Sequence, residues 1–299
     1  MSMTARAWRA AALLLLVLLP QQLAAESLRN GQGVLWQVAR GGKPVAHVFG
    51  TIHLADPEII ALPAPVAAAF QAASSLSVEA ILDDAASRTL AQAMALPAER
   101  NLQDLVPADV FHRAAAAAQP YGLQPVHLNR LKPWALALLI TVTPDEIVRR
   151  SAGRQALDVW LTQQARAAGK TVRGLETMEE QIAVFDSLPE AEQAAFLSGA
   201  AIDIAQKQQL MAEMKEAYLR RDIAGVRQAA QKGTTERDRA AADKLEHAMI
   251  DERNRRMVER MQASFDGSAF VAVGALHLPG ENGVLALLER AGYSVTRVY

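Results

Sequence analysis

Apolar positions along the chain follow two periods. Residues 34–39 (VLWQVA) and 44–49 (PVAHVF) are short apolar runs separated by Arg40, Gly41, Gly42 and Lys43. Gly-Gly between two such runs predicts a β-hairpin. Residues 76–81 (LSVEAI), 171–175 (TVRGL), 269–273 (AFVAV) and 293–298 (YSVTRV) read as further strands. Between them the spacing is helical: 66–73, 85–95, 108–118, and 133 to about 142 with Pro133 at the first position. Residues 156–168 follow, where Leu157, Trp160, Leu161 and Ala165 share a face. Helices at 178–185 and 282–291 complete the pattern. From Pro189 to about Phe265 the chain is long, charged and helical, with no strand signal. Strands alternating with helices imply an α/β fold. The expected architecture is a central mixed, partly parallel sheet flanked by helices, with a helical insertion or cap at about 188–265 before the last strands.

Composition narrows the function. The 299 residues carry 31 basic and 32 acidic side chains, a net charge of −1. That leaves no basic surplus for a phosphate backbone, so nucleic acid is not an expected partner. Cysteine is absent, which excludes thiol nucleophiles, disulfides and Cys-ligated metal. At the N-terminus, Arg6 and Arg9 precede ten apolar residues (10–19), then Pro20 and the small pair Ala24 and Ala25. Ten residues rise about 15 Å as helix, half a bilayer core. The layout is that of a secretory signal cleaved near Ala25, the alternatives being an uncleaved anchor or a buried helix. Residues 1–25 are thus expected to be the leader and 26–299 a single domain, periplasmic or secreted, with no later apolar run long enough to span a membrane.

Two segments look alike: residues 48–54 (VFGTIHL) and 272–278 (AVGALHL). Each reads apolar, apolar, Gly, small, apolar, His, Leu after an expected strand. Gly50 and Gly274 permit positive φ or close backbone approach. His53 and His277 then sit at strand tips, where open α/β sheets bind ligands. Two imidazoles at adjacent tips offer two nitrogens to a metal; each is alternatively a hydrogen-bonded rim residue. Glu79 ends an otherwise apolar strand, and a buried carboxylate needs a cation or donors nearby. It is a candidate third ligand or base on a bound water, or else a salt-bridged edge residue. Glu176 follows a strand in the same way, with Thr177 and Glu180 forming a capping-box pattern. Arg253 lies in a charged block (251–256, DERNRR) that reads as a solvated helix face, unless Arg253 turns inward to hold an oxygen. No Gly-x-Ser-x-Gly elbow, P-loop, GxGxxG or His-Glu-x-x-His is present.

These residues resemble the TraB/GumN family, also called TIKI-like proteins. The match comprises the first Gly-x-x-His with Glu79 downstream, Gly174 to Thr177 with Glu180 and Gln181, the Glu252, Arg253, Asn254 triplet, and the second Gly-x-x-His followed by Gly280 to Gly283. The resemblance implies an α/β fold akin to erythromycin esterases and a haem-binding lipoprotein group. It implies a centre of His53, His277 and Glu79, with Arg253 and Asn254 as site residues and Glu176 and Gln181 as family positions without an assigned role. It also implies a divalent metal, Mn2+ or Co2+, with Zn2+ a further candidate, and protease-like chemistry. Some family members are linked to pheromone shutdown or polysaccharide clusters. The expected function is therefore an exported metal-dependent hydrolase acting on a peptide or small-molecule substrate, with Arg253 stabilising an oxyanion. The rival is a non-catalytic module that sequesters a peptide, metal or haem at the same centre.

Overall fold

A computed structural model describes residues 28–232 and 239–299. The expected leader, residues 1–25, lies outside them. Six strands form one mixed sheet: β1 (Leu35–Arg40), β2 (Lys43–Thr51), β3 (Ser75–Val78), β4 (Thr171–Gly174), β5 (Ala269–Gly274) and β6 (Ser294–Arg297), in the order β4-β3-β5-β2-β1-β6. β1 pairs antiparallel with β2 and β6, whereas β2, β5, β3 and β4 are parallel neighbours. Only β1 therefore runs against the rest. The expected hairpin forms, with Gly41 (φ +57) and Gly42 (φ +76) supplying the left-handed turn. β5 takes the centre because its AFVAV run is buried on both faces, as a parallel strand covered by helices requires. Phe270, fully buried on β5, meets Phe49 and Phe70 at 5.9 and 5.4 Å between ring centroids.

Helices Pro57–Ile60 and Ala64–Ala72 join β2 to β3 and Val284–Arg290 joins β5 to β6, but most of the helices come in two excursions, one between β3 and β4 and one between β4 and β5. The helical stretch expected at about 188–265 before the last strands is present, and it packs against the first excursion. Leu102, Val110, Leu128, Leu136 and Ile140 of the first excursion form one buried cluster with Ala194, Leu197 and Ala201 of the second. The reason is the helix Pro133–Thr141, which is apolar all round and must be covered on several sides: Glu190–Ala200 packs chiefly on it, and Ala108–Ala118 packs on both. Within the second excursion, residues His247–Glu252 form a π-helical turn leading into the helix Arg253–Gln262. Among the described residues, no helix is long and apolar enough to cross a membrane.

A buried tyrosine contact helps tie this helical layer to the sheet. Tyr218, buried at the end of the helix Ile204–Leu219, donates its phenolic hydrogen to the carbonyl of Gly50 at 2.7 Å. Tyr218→Phe removes the donor and strands that carbonyl, which should lower stability by about 1–3 kcal/mol in urea denaturation. A change below about 0.5 kcal/mol would show that the contact does not anchor the layer.

Candidate active site at the carboxyl ends of the parallel strands

The sheet register decides where the chemistry sits. Thr51 of β2 lies beside Gly274 of β5, Ala272 of β5 beside Val78 of β3, and Val78 beside Gly174 of β4. The four strands thus end along one edge. His53, His277, Glu79 and Glu176 follow those ends, where open α/β sheets place their ligands. The β3–β4 ladder continues past its last paired residues, with the Leu175 and Glu176 amides donating to the carbonyls of Val78 and Glu79 at 2.8 and 2.7 Å. Both glutamates are held by backbone before their side chains do anything.

The two site glycines act by close approach, not positive φ. A Cβ on Gly50 would stand 2.8 Å from Leu278 Cδ1 and 3.1 Å from Ala275 Cα. A Cβ on Gly274 would stand 3.1 Å from Glu79 Oε1, 3.5 Å from His277 Cδ2 and 3.9 Å from His53 Nε2. Those three side chains therefore surround Gly274, and the two imidazoles are separated by no more than 3.5 plus 3.9 Å at their nearest atoms. The bare glycine lets its N–H reach Glu79 Oε1 at 2.6 Å.

Arg253 and Asn254 both turn inward from the charged block. Arg253 donates to Glu79 Oε2 through Nη2 (2.6 Å) and to Glu176 Oε2 through Nη2 (2.6 Å) and Nε (2.8 Å). Its Nη1 donates to the Met249 carbonyl of the π-helical turn (3.2 Å) and faces His277 Nε2 at 3.5 Å. Removal from water pushes the Glu79 carboxyl up, but His277, Arg253, His53 and the Gly274 N–H together hold it down at about 2. Glu79 is therefore ionised at neutral pH. The expected oxyanion role of Arg253 gives way here. The guanidinium is buried behind Glu79 and its donors already face two carboxylates and a carbonyl.

The two histidines are set to opposite states by their neighbours. Asn254 is fully buried, and its Nδ2 donates to the carbonyl of Asn282 at 2.8 Å, which fixes the amide orientation. Its Oδ1 therefore faces His277 Nδ1 (2.7 Å), so that nitrogen carries the proton and Nε2 is left as an acceptor. Burial pushes His277 down to about 4, and it is neutral at pH 7. His53 is the exposed member, with 59% of its side chain accessible. The protein around its ring works against charge. The Asp158 carboxylate, 2.9 Å from Nδ1, prevails together with the Glu79 charge and raises His53 to about 9.

Asp158 is the site residue that sequence reasoning missed. It stands in the first turn of the helix Leu157–Ala167, where an acidic residue reads as ordinary dipole compensation. Arg150 and Glu146 were missed as well. Arg150 donates to the His53 carbonyl (2.9 Å) and to Glu146 Oε1 (2.9 Å), while Glu146 also accepts from the Ala55 amide (2.8 Å). Together they fix the loop that carries His53.

In front of this centre opens a cavity of ≈ 270 Å³. His53, Glu79, Asp158, Thr51 and Gln181 line its polar end, while His277, Arg253, Asn254 and Glu176 stand outside its lining. Gln181 also approaches Glu176 Oε2 with its amide nitrogen at 3.4 Å. The donor set suits a divalent metal in kind once His53 gives up its Nε2 proton: a carboxylate and two imidazoles, each held through Nδ1 by an oxygen as metal-bound histidines usually are. Among the described residues, no three His, Asp or Glu side chains are gathered closely enough to hold an ion.

Two outcomes test the electrostatics. Arg253→Ala leaves two buried carboxylates unpaired and should cost about 3–5 kcal/mol in urea denaturation with chelator present, Arg253→Lys recovering part of it. A loss under about 1 kcal/mol would mean that Arg253 does not balance the pair. Next to the site, Arg260 forks onto Glu180 (2.6 and 2.7 Å) and holds that carboxyl down at about 2. The pair's contribution is complete above the ordinary carboxylate value of 4.5 and disappears as pH falls toward 2. Glu180→Gln should flatten the rise of stability across that window, and an unchanged acid limb would contradict the ion pair.

Comparison with known proteins adds a lineage to this geometry. Residues 34–297 match the TraB/PrgY/gumN family. Metalloprotease TIKI2 of Danio rerio is 25% identical over 324 residues, covering 90% of this chain and 61% of its own. Metalloprotease TIKI1 of Homo sapiens is 25% identical over 311 residues, covering 87% of this chain and 61% of its own. Uncharacterized protein YbaP of Escherichia coli (strain K12) is 25% identical over 243 residues, covering 81% and 87%. The chain spans about six-tenths of the length of the TIKI relatives it matches. No solved structure matches it. With the family match running through both Gly-x-x-His segments, Glu79 and the Arg253 helix, this chain belongs to the TraB/PrgY/gumN family.

Proposed function

We propose that the protein is an exported metal-dependent hydrolase that cleaves peptide or amide bonds at a centre of His53, His277 and Glu79. The observation that carries this reading is the convergence of two Nδ1-anchored imidazoles and an ionised carboxylate around Gly274, with His53 and Glu79 also lining a cleft. The names of the TIKI relatives support the metalloprotease class. The leader at residues 1–25 supports delivery to the periplasm or outside.

A divalent ion at this centre, Mn2+ or Co2+ on family resemblance and Zn2+ as the further candidate, would polarise the scissile carbonyl and lower the pKa of a bound water. The chain's own residues do the rest. Glu79 presents a full negative charge to the cleft. Asp158 holds the His53 ring at the cleft, and Asn254 turns the His277 ring so that its Nε2 stands 3.7 Å from Glu79 Oε1. Arg253 is a positioning residue: it keeps Glu79 and Glu176 compatible side by side and leaves the cleft face of Glu79 free. Gln181, on the cleft wall, offers an amide to a substrate's backbone.

The test measures metal content by mass spectrometry and turnover of a peptide library with and without Mn2+ or Co2+. His53→Ala is the cleanest variant, because its side chain is exposed. It should lose metal and turnover together without losing the fold. Glu79→Gln should lower turnover by about 10²–10⁴ if the carboxylate is the base, with metal retained; metal lost as fully as in His53→Ala makes Glu79 a ligand. Peptides bound by the metal-loaded protein but never cleaved would overturn the hydrolase in favour of a sequestering protein.

A further inference from the structure

Beyond the polar end, the cavity is walled by helices from both excursions: Leu90 from the helix Asp84–Met94, Trp134 and Leu138 from Pro133–Thr141, and Met178, Ile182 and Phe185 from Met178–Asp186. Leu90, Leu138, Met178 and Phe185 are half-buried although they pack on the local core, because one side of each faces the cavity. The indole nitrogen in this wall is already committed: Trp134 Nε1 donates to Asp186 at 2.7 Å. The wall is also stiff, with Trp134 stacked on Phe185 (5.3 Å, 18°) and Phe185 stacked on Phe196 (6.0 Å, 16°). Every ionisable group lining the cavity lies at the other end, in His53, Glu79 and Asp158.

We infer that this apolar end is a specificity pocket for one large apolar side chain of a peptide substrate, leucine- or phenylalanine-like, whose backbone lies against the His53–Glu79 end. The inference rests on reading that end as a peptide-cleaving centre. Two features select the occupant. The division into a charged end and an apolar end matches an amino-acid residue, with its amide at one end and its hydrocarbon at the other. The ≈ 270 Å³ volume falls just below the ~300–1,000 Å³ of pockets that hold drug-sized ligands, so it suits a single side chain. A charged side chain would find no counter-charge there and would lose its hydration.

The experiment has a binding arm and a cleavage arm, both on the full-length mature chain. Binding of N-acetyl-phenylalaninamide, N-acetyl-leucinamide, N-acetyl-alaninamide and N-acetyl-glutamic acid amide is followed by saturation-transfer NMR and by tryptophan fluorescence. The Phe and Leu probes should bind at least ~10-fold more tightly than the Ala probe, since each buried methylene contributes several-fold. Leu138→Trp, which fills the cavity, should remove that advantage and leave the Ala probe unchanged. Met178→Ala, which enlarges it, should shift preference toward a tryptophanamide probe and covers the case in which the first variant does not fold. In the cleavage arm, sites in a peptide library should cluster at one fixed position relative to Leu, Phe or Met, and Leu138→Trp should disperse them. Equal binding of the Ala and Phe probes, or an apolar preference that survives both variants, overturns the pocket. Cleavage with no side-chain preference overturns it too while leaving the hydrolase standing. Selective apolar binding without any cleavage keeps the pocket and sinks the hydrolase.

Discussion

Two carboxylates that should not share a dry corner of the protein do so because one guanidinium stands between them. Glu176 is fully buried and Glu79 nearly so, and their backbones are already hydrogen-bonded to each other across the β3–β4 ladder. Placed that closely, the charges would repel and each would lose its hydration. Arg253 answers both with a fork, and the π-helical turn before it gives Nη1 a carbonyl as well. Three separate parts of the chain are locked by this one group: the ends of β3 and β4, the helix Arg253–Gln262, and through Asn254 the tip of β5.

The same corner explains how one centre can hold two histidines in different protonation states. The ring of His53 faces a carboxylate and keeps its proton; the ring of His277 faces a carboxamide and stays neutral. The Asp158 carboxylate holds the proton on His53, whereas burial and the neighbouring Arg253 charge keep it off His277. Glu79, between the rings, is near enough to influence both.

Most of the framework was legible in the sequence because it is local. Strand runs, the Gly-Gly turn and the matched Gly-x-x-His tips each declare themselves within ten residues, and the parallel register then brings the tips to one edge. What escaped was whatever depends on direction within a helix. A run such as Asp251 to Arg256 has charges on every face, so nothing in it says which arginine points inward. The π-helical turn, which re-aims the next residues, leaves no mark in composition. Asp158 looked like any acid at a helix start. The cleft was invisible for a different reason. Its apolar wall is drawn from three helices separated by long stretches of chain, and each of its residues alone reads as ordinary core. The helical stretch before the last strands was legible too; that it packs on Pro133–Thr141 was not, because that helix is apolar on every face and names no partner.

β5 is the fifth strand in the chain but lies between the second and third in space. Until residue 269 exists, β2 and β3 have no shared neighbour, and His53 and Glu79 belong to fragments with nothing to hold them together. Pairings across such separations are slow to form and late to be rewarded. A chain emerging from a ribosome therefore carries the ingredients of the site without the site. The order of the strands works as a timer: the site assembles only after β5, in the last tenth or so of the polypeptide, has been inserted between β2 and β3.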